Sequence, residues 1–172
     1  MTLYHGSTLV VSKPVILMTD VGRDFGPAFY TTDIREQAER WAARRMRFAQ
    51  KSGKSDVRAI VSVYEFDEQS AYRLLKCKAF EGVSLEWLDM VVHCRSSLTY
   101  RHGFDLMTGK IANDNVGETV SYVVAGVMPR EMALEKLKFQ QINNQIAYPV
   151  YDQASGAVKF VNEDGQVLKT TS

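Results

Sequence analysis

A histidine, a glycine and a serine follow one another near the start of the chain, in the run Tyr4-His5-Gly6-Ser7. A histidine at a strand end followed by glycine sets an imidazole beside backbone N–H and C=O groups that a ligand can approach closely. With the Ser7 hydroxyl, these groups suit a carboxamide and a ribose hydroxyl better than a phosphate. The alternative is a strand-end histidine bonded to a loop carbonyl. The run alone favours this structural interpretation.

Two aromatic residues form a second candidate feature. Tyr30 lies in the run Phe29-Tyr30-Thr31-Thr32, and Trp41 follows on a predicted helix. Their rings could form the two walls of a slot for a flat ligand ring. Tyr and Trp are readily buried, so core packing is the competing interpretation, and position alone favours it.

Three consecutive amides, Asn143-Asn144-Gln145, precede a predicted strand, and capping or turn formation is their ordinary role. The chain has three histidines and two cysteines, none with the spacing of a metal site. Cys77 and Cys94 cannot build a disulfide framework. We therefore expect no metal.

Hydrophobic periodicity and turn residues predict the elements that position these side chains. The predicted strands cover residues 3–5, 28–31, 57–66, 71–78, 105–111 and 144–150, with a terminal hairpin formed by 158–161 and 167–168. A turn is predicted at 112–115. The predicted helices cover 34–51 with Asp33 as N-cap, a segment capped by Ser84, 119–124, and a segment starting near Pro129. Strands outnumber helices without regular alternation, which favours an α+β fold.

Length and composition limit the class of protein. A chain of 172 residues suits one domain, 1–172. Its 45% hydrophobic and 24% charged residues exclude wholesale disorder and collagen-like or coiled-coil architectures. No apolar run approaches the roughly 20 residues of a membrane span, and the N-terminus lacks the pattern of a signal peptide. We expect a cytoplasmic protein, or one exported without a cleaved signal peptide, and no membrane partner.

One strongly basic segment stands out in a chain whose net charge is only +1. Residues 35–58 hold eight basic and three acidic side chains, a net charge of +5. Arg40, Arg44, Arg47 and Lys51 form a helical stripe opposite an apolar arc that includes Ala38, Trp41 and Phe48. The stripe is either a solvated face, the favoured interpretation, or a landing site for an acidic partner such as RNA.

The order and spacing of these runs resemble the ADP-ribosyltransferase superfamily and, more closely, an uncharacterised bacterial family within it. The runs are Tyr4 to Ser7, Asp24-Phe25-Gly26, Phe29 to Thr32, Gln37-Ala38 with Trp41-Ala42, Gly109 to Asp114, and Asn143 to Gln145. The resemblance spans about residues 3–150 and leaves the tail 151–172 outside. It implies split antiparallel β-sheets with flanking helices.

The resemblance also implies NAD as the substrate and a role for each matching residue. His5 would hold the ribose of NAD, the Gly6 backbone would pair with the nicotinamide amide, and Ser7 would lie beside the ribose. Tyr30 would stack on nicotinamide, and Trp41 would form the second aromatic wall. Arg23, in the loop before Tyr30, is a candidate contact to the pyrophosphate. Arg45 falls within the apolar arc beside Ala38 and Ala49, so it either snorkels or pairs with a carboxylate, or it reaches the pyrophosphate instead.

Gln145 falls where the superfamily usually has a catalytic glutamate. Glutamine can hydrogen-bond the ribose 2′-hydroxyl, but it carries no charge and cannot act as a general base. This argues against poly(ADP-ribose) chain growth. Single transfer would need a nucleophilic acceptor or another carboxylate. Asp24, Asp114 and Glu118 are candidate helpers, with Asp114 preferred because it follows a strand end.

The resemblance therefore implies a mono-ADP-ribosyltransferase, a toxin or effector, that acts on a protein or nucleic-acid acceptor. Water in place of the acceptor would give NAD glycohydrolase activity. A cognate inhibitor is a further expected partner. The alternative is a catalytically weak or inactive NAD-binding interaction module on the same fold, because Gln145 replaces the charged residue.

Overall fold

The structure is a computed structural model and describes residues 1–18, 22–110, 114–138, 144–148 and 158–161. These residues form five helices and seven strands, and the strands are arranged in two sheets. This confirms the α+β prediction. The strands are β1 (Thr2–Ser7), β2 (Phe29–Thr31), β3 (Ile60–Phe66), β4 (Cys77–Ala79), β5 (Leu106–Lys110), β6 (Asn144–Tyr148) and β7 (Val158–Val161). The helices are α1 (Arg35–Lys51), α2 (Glu68–Leu74), α3 (Leu85–Ser96), α4 (Asp114–Val124) and α5 (Arg130–Leu137). Among these residues, no helix is both long and apolar enough to cross a membrane.

The chain divides into two compact units, and each unit is built from more than one segment of the chain. The first unit contains residues 1–15 and 30–74 together with β7. The second contains the described parts of residues 16–29 and 75–151. One domain over 1–172 stays a prediction.

The sheet of the first unit has the strand order β1-β3-β7, and both pairings are antiparallel. The pairing of β1 with β3 runs from Thr2 opposite Glu65 to Ser7 opposite Ile60. β7 lies on the other side of β3, which confirms the first strand of the predicted terminal hairpin. The second strand of that hairpin, 167–168, falls outside the described residues.

Helix α1 packs on β1 through small side chains. Ala38 and Ala42 are buried, but Trp41 is 41% and Phe48 is 72% exposed. The predicted inward-facing arc was therefore too wide. Alanines bring the helix backbone close to the strand, and at 100° per residue this turns Trp41 and Phe48 outward.

The start of α1 also differs from the prediction. Ile34, in an extended conformation, is the N-cap, and no side chain caps it. The prediction of Asp33 as N-cap was wrong. The Thr32 hydroxyl instead accepts a hydrogen bond from the Ile34 N–H at 3.1 Å and so organises the turn into the helix.

The predicted strand over 71–78 was wrong for most of its length, because α2 occupies residues 68–74. The Asp67 carboxylate accepts hydrogen bonds from the Ser70 backbone N–H at 3.1 Å and from the Ser70 hydroxyl at 2.7 Å. This cap starts a helix that includes Ala71 to Leu74, residues that were predicted to be extended. Of the predicted strand, only Cys77 and Lys78 are extended, as part of β4.

The other sheet has the strand order β2-β6-β5-β4, and β4, β5 and β6 belong to the second unit. β5 and β6 are antiparallel, whereas β4 and β5 are parallel. The split antiparallel sheets that the resemblance implies were therefore wrong for this pair. The long connection from β4 through α3 lets the chain return in the same direction, as a hairpin could not.

Two predicted helix starts are confirmed, and one was misplaced. The Ser84 hydroxyl accepts a hydrogen bond from the Trp87 N–H at 3.1 Å, and Pro129 is the N-cap of α5. α4 begins at Asp114, five residues earlier than predicted. The predicted turn at 112–115 was wrong for residues 114 and 115, which are helical, and residues 112–113 lie outside the described residues. Asp114 therefore opens a helix.

Candidate functional sites in the two units

His5 is fixed by the backbone of another candidate residue. Its Nδ1 atom lies 2.7 Å from the carbonyl oxygen of Tyr30. Because a carbonyl can only accept, Nδ1 must carry the proton. In the neutral ring this makes Nε2 a hydrogen-bond acceptor, which is the role needed to bind a hydroxyl group.

Burial keeps His5 neutral. Desolvation lowers the pKa of the imidazole below its ordinary value of 6.5, and the positive charge of Arg45 lowers it further. The hydrogen bond to Tyr30 opposes this shift but does not overcome it.

His5 lies opposite Ser62, on the face of the sheet that the loop at Val11 covers. Val11 donates to the Ser62 hydroxyl at 3.0 Å and accepts from the Tyr64 hydroxyl.

The backbone of Gly6 is directed away from β3. Tyr4 exchanges two hydrogen bonds with Thr32 on that outer side, at 2.8 and 3.0 Å. In a strand the N–H and C=O of one residue point to the same side, and those of the residue two positions on do the same. The N–H and C=O of Gly6 therefore face outward beside Tyr4. A donor and an acceptor on one residue match the two polar groups of a carboxamide.

The structure gives a different reason for glycine at this position than ligand access. A β-carbon on Gly6 would lie 2.9 Å from the Ala42 backbone nitrogen and closer still to the Ala38 carbonyl oxygen. Gly6 lacks a side chain because α1 packs directly on β1. The outward hydrogen-bonding groups of Gly6 are a separate property, set by its position in the strand.

The remaining candidates of the first unit lie on β1, β2 and α1. Tyr30 is half-buried, and its side chain points away from the buried side chains of Phe29 and Thr31. Ser7 is half-buried at the end of β1. Trp41 is exposed, and the Arg44 guanidinium lies over its ring, 5.7 Å from the centroid. The slot between Tyr30 and Trp41 stays a prediction.

A buried polar network forms the second candidate site, in the second unit. The Gln145 amide nitrogen lies 3.0 Å from a carboxylate oxygen of Asp24 and 3.1 Å from the Lys110 carbonyl oxygen. Asp24 also accepts from Arg95, whose Nε and Nη2 atoms lie 2.9 and 2.6 Å from its Oδ1. Gln145 is 5% exposed and Asp24 is 7% exposed. The network thus places a carboxylate beside Gln145.

The partners of Gln145 determine how its amide is oriented. The Asp24 carboxylate and the Lys110 carbonyl are both acceptors, so both hydrogens of the Gln145 NH₂ group are used to satisfy them. The Oε1 atom of Gln145 is then the acceptor that the side chain offers. A glutamate here would set an anion against a second carboxylate and a carbonyl. The surroundings therefore favour glutamine over glutamate at position 145.

Aromatic packing supports this network. Gly109 lies opposite Gln145 in the pairing of β5 with β6, and a β-carbon on Gly109 would lie 2.9 Å from the Phe25 ring. Phe25 is fully buried and stacks on Phe80 with ring centroids 5.8 Å apart. Its carbonyl oxygen lies 3.1 Å from Nε2 of His102. These contacts hold the segment that carries Asp24 against the sheet.

The other candidates of the second unit are less engaged. Arg23 is half-buried, in a turn closed by a 3.1 Å hydrogen bond from the Gly26 N–H to its carbonyl. Glu118 is exposed and accepts from the Tyr122 hydroxyl at 2.8 Å. The side chain of Asp114 and the whole of Asn143 lie outside what the structure describes. Of the three carboxylates considered as helpers, Asp24 is the one shown in contact with Gln145.

The cysteines are poorly placed for nucleophilic chemistry. Both are free, and burial together with the charge of Asp24 raises the pKa of the Cys94 thiol to about 12. Burial also raises the pKa of Cys77. Within the described residues, no group of three or more His, Cys, Asp or Glu side chains could hold a metal ion.

Comparison with known protein families shows which family the chain belongs to. Residues 1–160 match the model of a family described as a protein of unknown function, DUF3990. The chain belongs to the DUF3990 family. The match includes the candidate residues of both units and reaches into β7, past residue 150, where the motifs end. No curated protein and no solved structure matches the chain.

In this DUF3990 protein, Arg95 compensates the buried charge of Asp24, a role that the sequence alone did not indicate. A single arginine near the end of a predicted helix carries no motif. The available signal was the aspartate of the apolar run Asp24-Phe25-Gly26, because a buried carboxylate needs a cationic or hydrogen-bonding partner. That signal indicates the need for a partner but not which of the basic residues supplies it.

Proposed function

We propose that this DUF3990 protein is an NAD-dependent mono-ADP-ribosyltransferase. The observation that carries the proposal is the geometry of β1. Gly6 directs a backbone donor and an acceptor outward, and the adjacent His5 is a neutral imidazole with Nε2 as acceptor. A nicotinamide carboxamide needs one acceptor and one donor, and a ribose hydroxyl needs an acceptor. Three such groups on two adjacent residues support NAD as the ligand.

The proposed reaction exchanges one glycosidic bond for another. The bond between the ribose C1′ and the nicotinamide nitrogen breaks, and its electron pair leaves with nicotinamide. Positive charge develops on the ribose, and a lone pair of the acceptor forms the new bond to C1′, after which the acceptor loses its proton. Orientation of the reactants and stabilisation of the developing charge are the main contributions required of the protein.

The roles of the other residues in the proposal rest on the resemblance. Tyr30 supplies a ring for stacking on nicotinamide, Trp41 a second wall, and Ser7 a hydroxyl beside the ribose. Arg23 contacts the pyrophosphate. Gln145 accepts a hydrogen bond from the ribose 2′-hydroxyl through Oε1, which agrees with the use of its amide hydrogens by Asp24 and Lys110.

The acceptor in this proposal is a macromolecule, either a protein or a nucleic acid. Water in its place gives NAD glycohydrolase activity. A transferase of this kind would act as a toxin or effector with a cognate inhibitor. It would work in the cytoplasm, or be exported without a cleaved signal peptide.

A second candidate function is an NAD-binding module without chemistry. The observation that favours it is the environment of Gln145, which suits an amide and opposes a carboxylate. Without a charged residue at that position, less stabilisation is available for the positive charge on the ribose. The module would keep the groups of His5 and Gly6 and bind NAD unchanged.

Calorimetric titration with NAD and with nicotinic acid adenine dinucleotide tests the ligand assignment. The second compound carries a carboxylate, which cannot donate to the Gly6 carbonyl. We expect at least about tenfold weaker binding, since one hydrogen bond is lost and an acceptor is left facing an anion. Equal affinity for the two compounds, or no affinity for NAD, would overturn the assignment.

Nicotinamide release from NAD, with and without cell lysate, then separates the two functions. Release that depends on the lysate supports transfer to a macromolecule, and release without lysate supports hydrolysis. Binding without release under both conditions favours the module. The Gln145→Ala variant, run in parallel, should abolish release if Gln145 contacts the ribose.

A further inference from the structure

We propose that the outer face of α1 is a docking surface for single-stranded nucleic acid. We call it the α1 outer face and define it by its seven exposed side chains: Arg40, Trp41, Arg44, Arg45, Arg47, Phe48 and Lys51. The proposal goes beyond ADP-ribosyl transfer. It shares Trp41 with the proposed nicotinamide slot, so it is tested at other residues and without NAD. It lies wholly within the first unit.

The charge of α1 is concentrated on this face. The helix holds six basic and two acidic side chains, a net charge of +4 in a chain of net charge +1. One of the two acids, Glu39, is paired with Arg35 at 2.9 Å, off the α1 outer face. Within the described part of the chain, no carboxylate is paired with Arg40, Arg47 or Lys51. These cations are therefore available to a polyanion.

Aromatic rings lie within this basic surface. At 3.6 residues per turn, Trp41 and Phe48 follow each other along the helix about 10 Å apart, with Arg44 on one side and Arg45 on the other. Phe48 is 72% exposed, an unusual position for a phenylalanine. The Arg44 guanidinium lies over the Trp41 ring, 5.7 Å from its centroid. Flat rings bordered by cations are the combination that binds unpaired bases and their phosphates together.

This combination favours a single strand over the other polyanions. A duplex hides the faces of its bases, so it could use the cations but not the rings. An acidic protein segment would likewise be attracted by charge but offers no set of flat bases to stack. A helix that binds anionic lipid carries its aromatic side chains on one face and its cations on the opposite face. In α1 the aromatic side chains and the cations share one face.

Fluorescence anisotropy with a labelled oligothymidylate of about 15 nucleotides tests the surface without NAD. The four cations of the helical stripe are Arg40, Arg44, Arg47 and Lys51. If all four contact phosphates, the logarithm of the association constant should fall with the logarithm of the salt concentration with a slope of about −3. Phe48→Ala should weaken binding about tenfold through lost stacking. Arg40→Glu combined with Arg47→Glu should abolish it. The matched controls on α2, Tyr72→Ala and Arg73→Glu, should leave it unchanged.

Parallel titrations with duplex DNA, polyglutamate and anionic lipid vesicles give the contrary outcomes. The proposal is overturned if the oligothymidylate does not bind at low salt, or if Phe48→Ala binds it as well as the parent protein. Equal binding of the duplex would also overturn it, as would preferential binding of polyglutamate or vesicles. Since the assay contains no NAD, failure here leaves the proposed transferase untouched, and failure of NAD binding leaves this surface untouched.

Discussion

The Nδ1 atom of His5 lies 2.7 Å from the carbonyl oxygen of Tyr30, and both residues belong to the first unit. This contact fixes the tautomer of the imidazole and so decides that Nε2 accepts hydrogen bonds. It uses only the backbone of Tyr30, so the aromatic side chain can be changed without removing the contact. The two residues can therefore be tested separately.

Protonation of His5 should weaken NAD binding, because a protonated Nε2 donates and no longer accepts. The pKa of His5 is lowered below 6.5, so we expect constant affinity above about pH 6.5 and a loss only in more acidic solution. Calorimetric titrations between about pH 7.5 and about pH 5 measure this profile. His5→Gln, which cannot titrate, should bind weakly at every pH. A wild-type affinity that rises on acidification would contradict the assigned tautomer.

The same lowered pKa links His5 to folding. The unfolded chain takes up a proton near pH 6.5, whereas the folded chain resists it. The stability that His5 contributes is thus complete above pH 6.5 and is lost as the pH falls through the lower folded pKa. Urea unfolding at several pH values should show a shallower acid loss in His5→Gln than in the wild type. The pKa of His102 is lowered by burial as well, so part of the acid loss should remain in the variant.

Gly6→Ala should destabilise the first unit strongly. The added methyl group would collide with the backbone of α1 at Ala38 and Ala42, which cannot move aside as a side chain can. We expect a loss of about 3 kcal/mol or more in the free energy of unfolding. Gly53→Ala is the control, since its β-carbon meets nothing within 4 Å and only its left-handed backbone (φ +88°) is penalised, by about 1 kcal/mol. Equal losses in the two variants would contradict the packing of α1 on β1.

Gln145→Glu should destabilise the protein, because it sets a carboxylate beside Asp24. The expected loss is about 3 kcal/mol. Asp24→Asn should relieve it, since an asparagine can accept from Arg95 and donate to Glu at position 145. A double-mutant cycle by urea unfolding should then give a coupling energy of about 2 kcal/mol in favour of the double variant. Additive effects would mean that residues 24 and 145 do not interact as described.

Arg95→Met should cost far more stability than the same change at a surface ion pair. Removing Arg95 leaves the Asp24 carboxylate buried without a cation, which costs about 3 kcal/mol. Arg130 pairs with Asp89 at 2.6 Å on the surface, and its loss should cost less than about 1 kcal/mol. Thermal unfolding of both variants makes the comparison. Similar shifts in melting temperature would argue against a structural role for the buried pair.

Local signals in the sequence predicted much of the fold. β1, β2, α1 and the Ser84 cap of α3 depend on turn residues, β-branched side chains and helical periodicity that lie close together in the chain. The same reasoning missed α2, because the helix signal of Asp67 and Ser70 was outweighed by the apolar residues after it. It also could not predict that β4 and β5 are parallel, since strand direction depends on the path of the whole connection.

The candidate sites show the same limit. His5, Gly6 and Tyr30 were recognised from short runs of residues. The contact between Asp24 and Gln145 joins residues 121 positions apart, and no local pattern encodes it. The preference for Asp114 over Asp24 as a helper followed from local position alone. The exposure of Phe48 could not be foreseen either, because it depends on how closely α1 approaches β1.

Nicotinamide release from NAD in the presence of cell lysate tests the proposed transferase activity. Tyr30→Ala is compared with Tyr72→Ala, an exposed tyrosine of the same unit. The proposal predicts release by the wild type and by Tyr72→Ala, and a loss of at least about tenfold in Tyr30→Ala without a change in melting temperature, since stacking on the ring is lost. Undiminished release by Tyr30→Ala, or no release and no NAD binding by the wild type, would contradict it.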